Sequence, residues 1–125
     1  MLDKFTTWQY RDDRNCWDFV REFLIEKAGI SAEHLPKYGI LPEDKQSMTA
    51  AANSIRGGFI DCDPVNFAIA CHYIGHTIIH VGVVYNGYVL HTGSKFGTKK
   101  STIKAFEKMC QKTVYRLHGS ITNIR

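Results

Sequence analysis

No stretch of this chain approaches the roughly 20 consecutive apolar residues that a membrane-spanning helix requires, so no membrane span is expected. Its opening, MLDKFTTWQYRDDRNC, lacks the apolar core and small-residue cleavage site of a secretory signal, so passage through the general export route is not expected either. A stripe of basic residues is also missing. The formal net charge is +4, but lysines and arginines are scattered, with Lys99 and Lys100 the adjacent pair in the second half, and this argues against a nucleic-acid groove. The four cysteines, Cys16, Cys62, Cys71 and Cys110, form no CxxC pair, and their spacing resembles no zinc-finger or small disulfide framework. Free thiols and a cytosolic origin are the simpler expectation. Repeats, low-complexity runs and interdomain linkers are absent as well.

What is present suits one soluble domain over residues 1–125, of which 44% are hydrophobic and 22% charged. Such a length can bury a core without metal or disulfide staples. Asn15 is a good N-cap for a helix over CWDFVREFLIEKA, which sets Cys16, Val20, Phe23 and Leu24 on one stripe, with Gly29 as the stop. After a loop through Pro36 to Pro42, Glu43 to Arg56 is helix-forming in composition and closes at Gly57-Gly58. Phe59–Cys62 and Val65–Cys71 read as short strands, and the β-branched run Thr77–Tyr85 is the best strand in the chain. Asn86-Gly87 is a strong hairpin signal, returning the chain as Tyr88–Thr92. A Gly/Lys/Thr loop leads to a helix from Thr102 to about Gln111 capped by Ser101, and Thr113–Leu117 makes a last strand. Helices first and then an antiparallel sheet predict an α+β domain.

Two local arguments converge on one chemistry. A thiol in the first turn of a helix feels the partial positive charge there, which favours thiolate, and the amides of that turn can stabilise an oxyanion beside the sulfur. Cys16 has that position; the competing reading is a small buried hydrophobe on the helix's apolar stripe. Separately, a two-residue turn at Asn86-Gly87 makes Tyr85 face Tyr88, Val83 face Leu90 and Gly82 face His91. Alternation then puts His80, Gly82 and His91 on one side of the sheet, with the histidines diagonal neighbours, and Ile79, Val81, Val83 and Leu90 on the other. The competing reading is a solvent-facing surface that merely tolerates histidine. A thiolate-forming cysteine plus a base oriented by a third group is the logic of nucleophilic acyl transfer.

NCWDFVREFL resembles the nucleophile motif of the NlpC family of papain-like cell-wall cysteine peptidases, and is similar to forms in phage tail-associated members. HVGVVYNGYVLHT resembles the family's second motif, His-x-Gly on a strand, a turn, and a strand ending in a second His. The resemblance runs from about Asn15 to the final YRL segment, and departs from the family at Asn15 and Asp18, which stand where Asp and Gly are usual. It implies a papain-like NlpC fold, N-terminal helices packed on a small antiparallel sheet, and a thiol protease with Cys16 as nucleophile, His80 as base and His91 as third catalytic residue. Tyr10, Asn15 and Trp17 are the expected substrate contacts. The implied activity is cleavage of an amide bond in peptidoglycan stem or cross-link peptides through a thioester, a bacteriolytic cell-wall degradation that needs no cofactor and no metal. Implied partners are peptidoglycan peptides, with phage tail proteins or a secretion apparatus and its immunity protein. Without a signal peptide, the expectation is synthesis in the bacterial cytoplasm and delivery to the wall by a phage tail or contact-dependent secretion.

Three alternatives stay open at this stage. CHYIGHTIIH carries Cys71, His72, His76 and His80, a set of zinc-ligand types. On a strand, however, His72 and His76 would stand about 13 Å apart, too far to share one ion. The chain could instead be a weak or inactive NlpC-fold component of a phage tail tip. The same triad also suits an acyltransferase or deamidase, since a thioester can pass its acyl group to water, an amine or a hydroxyl.

Overall fold

The computed structural model describes residues 3–11, 14–35, 59–93 and 97–119. Among them are a short helix α1 (Asp3–Thr6), the longer α2 (Cys16–Ala28), a 3-10 turn Ala32–His34, and a helix α3 (Ile103–Lys108). The strands are β1 (Phe59–Cys62), β2 (Ile69–Ile74), β3 (Thr77–Tyr85), β4 (Tyr88–Gly93), β5 (Gly97–Thr102) and β6 (Lys112–His118). They form one antiparallel sheet in the order β1-β6-β2-β3-β4-β5. The architecture is therefore α+β. The expected helix over Glu43–Arg56 lies outside the described residues. Among the described residues, no helix is long and apolar enough to cross a membrane.

α2 forms as its sequence dictates. Asn15 Oδ1 accepts hydrogen bonds from the Trp17 and Asp18 amides, and Asp18 Oδ2 accepts one from the Asn15 amide, a complete capping box. Gly29 closes the helix at φ 73°, left-handed backbone that a glycine adopts without strain. The stripe of Cys16, Val20, Phe23 and Leu24 is buried, and α2 packs on β3 and β4. Phe5, Trp8, Phe19 and Phe23 form an aromatic cluster beside it, with edge-on rings 5.0 to 5.5 Å apart for three of the pairs.

The hairpin has the expected register, Tyr85 opposite Tyr88 and Val83 opposite Leu90. Asn86 and Gly87 have φ of 51° and 83°, the two positive angles of a type I′ turn. Three expectations shift. β2 begins at Ile69 instead of Val65, because residues 65–68 make a tight turn in which the Ala68 amide donates to the Val65 carbonyl and Phe67 takes φ 70°. The segment read as a Gly/Lys/Thr loop contains β5, an edge strand whose exposed lysines hide it from an alternation test. The last helix is capped by Thr102, whose Oγ1 accepts from the Ala105 amide, while Ser101 belongs to β5.

Candidate functional site

Strand pairing lines up polar side chains across the middle of the sheet. His72 on β2 is the register partner of His80 on β3, and their rings lie 5.8 Å apart. His80 Nε2 is 3.0 Å from His91 Nδ1 on β4, and His91 Nε2 is 2.9 Å from Ser101 Oγ on β5. The sequence geometry that made His80 and His91 diagonal neighbours thus ends in a direct imidazole–imidazole hydrogen bond. Gly82 is what lets them meet. A Cβ there would sit 2.7 Å from Val89 Cγ1, 3.0 Å from the Leu90 carbonyl oxygen and 3.1 Å from His91 Cβ.

Phe106 of α3 covers this row. Its ring stacks on His72 at 3.8 Å and meets His91 edge-on at 4.9 Å, and its carbonyl oxygen is 2.7 Å from His72 Nε2. His72 and His91 are buried, whereas His80 keeps part of its surface. The histidine-bearing side is therefore packed, not a bare sheet surface. Burial pushes the His91 ring down to about 4, and the charges of Lys99 and His72 act in the same direction, so His91 is neutral at pH 7. His72 is lowered as well, by burial against the opposing effect of its bond to the Phe106 carbonyl.

Cys16 is the first residue of α2 and is buried at 4% exposure. α2, which Cys16 begins, packs on β3 and β4, the strands that hold the two histidines. Cys71, whose register partner Val81 follows His80, lies within electrostatic reach of it. Burial pushes the Cys71 thiol up to about 12 despite the pull of Arg116, with Asp61 and a Cys16 thiolate adding to the rise. That thiol is inert at neutral pH. Of the amides in the first turn of α2, those of Trp17 and Asp18 are committed to the Asn15 side chain, and that of Phe19 to the Asn15 carbonyl.

The remaining expected contacts fall differently. Asn15 and Trp17 are buried, the first as the cap and the second in the core, and Tyr10 is half-buried on the approach to α2. That approach is held by Trp8. Its Nε1 donates to the Arg14 carbonyl, its own carbonyl accepts from Thr98 Oγ1 on β5, and the Arg14 guanidinium lies 4.0 Å over its ring. Sequence reasoning missed Trp8, Ser101 and Phe106. The second could have been found by extending the hairpin register one strand further, had β5 been recognised.

The zinc-ligand run is dispersed. Cys71 and His72 project to opposite sides because neighbouring residues of a strand alternate, and His76 is exposed in the β2–β3 turn. Among the described residues, no three His, Cys, Asp or Glu side chains are placed to hold one metal ion. No family model matches the chain, and no curated protein matches it in sequence.

Proposed function

We propose that the protein is a cysteine hydrolase of the papain-like NlpC type that cleaves an amide bond in peptidoglycan stem or cross-link peptides. The observation that supports it most is the 3.0 Å bond between His80 and His91 on strands against which the Cys16 helix packs. In this reading Cys16 Sγ attacks the carbonyl carbon while His80 takes the thiol proton. His80 then gives that proton to the departing amine, leaving a thioester on Cys16 that water hydrolyses. The partial exposure of His80 suits a group that must meet substrate, and the burial of neutral His91 suits one that orients its neighbour. Delivery to the wall by a phage tail or a contact-dependent secretion machine belongs to the same proposal.

The test is digestion of purified peptidoglycan sacculi, with released fragments identified by mass. New free amino and carboxyl termini within the peptides are expected, and a fragment bearing an added amine in place of water would indicate acyl transfer. A second reading is favoured by the burial of Cys16, which a polymer substrate has to reach: an inactive NlpC-fold component of a tail tip. Under that reading the sacculi bind the protein and stay intact.

A further inference from the structure

The hydrogen-bond chain through the two histidines has a terminus. Ser101 Oγ, His91 and His80 come from three neighbouring strands and are linked at 2.9 and 3.0 Å. Such a chain has two self-consistent proton arrangements. In the first, Ser101 accepts from His91 Nε2–H, His91 Nδ1 accepts from His80 Nε2–H, and His80 presents the lone pair of Nδ1. In the second, every bond is reversed: Ser101 O–H donates to His91, His91 Nδ1–H donates to His80 Nε2, and the His80 Nδ1 carries a proton. The second leaves His80 with no lone pair to offer. It also fails once His80 gains a second proton, because an imidazolium donates at both nitrogens.

We propose that Ser101 is a positioning residue: by accepting a hydrogen bond from His91 Nε2–H, it fixes the tautomer of both imidazoles and makes His80 a base through Nδ1. The burial of His91 gives this its force. The His91 ring has 0% exposure, so an Nε2–H there that lost its acceptor would be left buried and unsatisfied. Ser101 is half-exposed, so its own O–H can turn to solvent while its lone pairs serve His91. Only the catalytic meaning of this assignment rests on the hydrolase reading; the tautomers are a property of the folded chain alone.

The test is nitrogen-15 NMR of the imidazoles at neutral pH, which distinguishes Nε2–H from Nδ1–H rings without any substrate. In the wild-type protein both His80 and His91 are expected as Nε2–H. Ser101→Ala removes the acceptor and should shift His91, and His80 with it, towards Nδ1–H. Ser101→Cys keeps the size but offers sulfur, a weak acceptor, and carries the same expectation should the alanine variant unfold. Ser101→Thr keeps the hydroxyl and should restore the wild-type pattern. In a hydrolysis assay, kcat of Ser101→Ala should fall roughly 10-fold with KM little changed, a fraction of what a general base contributes. Unchanged Nε2–H rings in the alanine and cysteine variants, or Nδ1–H rings in the wild type, would overturn the assignment. A wild-type protein with no hydrolytic activity would instead count against the hydrolase reading, and the spectra would still decide the role of Ser101.

Discussion

At the first turn of α2, Asn15 and Asp18 close a reciprocal pair of hydrogen bonds around Cys16. Of the two positions at which the segment departs from the motif it resembles, the capping box gives a physical reason for Asp18. An asparagine cap satisfies the amides of Trp17 and Asp18, and a carboxylate at the third helical position returns the bond to the cap's own amide. Glycine could not make that second bond. Across the sheet, Gly82 does for the histidines what the cap does for the cysteine. Gly82→Ala forces a methyl against the Leu90 carbonyl and His91 Cβ, neither of which is the end of a flexible side chain. Urea unfolding should show a loss of about 1–3 kcal/mol, typical of overpacking a well-packed position. The same variant should lose more activity than its remaining folded fraction explains, because His91 is pushed off His80. A variant as stable and active as wild type would mean that the close approach is unimportant.

The hairpin of β3 and β4 was the most legible element, for a definite reason. Asn86-Gly87 fixes the turn type, the turn type fixes the register, and the register fixes which side chains share a side. Each step is local. One residue inserted between Asn86 and Gly87, where it shifts pairing by one, turns His91 to the opposite side of β4. Hydrolysis should then fall about as far as in His91→Ala, provided a structure of the variant shows the shifted register; full activity with that register would remove His91 from the mechanism. The α2 cap, stripe and glycine stop were legible for the same local reasons. β5 was not, since an edge strand with exposed Lys99 and Lys100 lacks the apolar alternation that marks a strand. Missing it turned Ser101 into an apparent helix cap and concealed the end of the histidine chain. Phe106 and the β5 contact of Trp8 were illegible because these partners are distant in sequence: Thr98 holds the Trp8 carbonyl, and Phe106 caps His72 and His91. The approach of α2 to the sheet is of the same kind, set by packing and by no motif.

For the molecule as a whole, the buried histidines tie stability to pH. His91 is pushed down to about 4, and His72 and His118 are lowered too, in all three first by burial. An unfolded histidine titrates near ~6.5. Between that value and about 4 the unfolded chain binds protons that the folded chain refuses, so stability present above pH ~6.5 is lost as the pH falls. For His91 alone the loss amounts to roughly 3 kcal/mol at most. Thermal unfolding at pH 7.5 and pH 4.5 should give a clearly lower Tm at the acidic value, and His91→Asn should narrow the gap. Equal Tm values at both would mean that these rings are hydrated in solution.

The central claim is a division of labour among Cys16, His80 and His91, and it is tested most directly by one series of initial rates. Peptide-bond cleavage in purified sacculi should be measured for the wild type, Cys16→Ala, His80→Ala, His91→Ala and His91→Asn, each shown to be folded. Cys16→Ala should abolish cleavage, and His80→Ala should bring it near background, because a neutral thiol without a base attacks poorly at pH 7. His91→Ala should lose an intermediate amount. His91→Asn should recover some of it by offering His80 a carbonyl acceptor. Cleavage that survives in Cys16→Ala, or a His91→Ala rate equal to that of the wild type, would contradict the account.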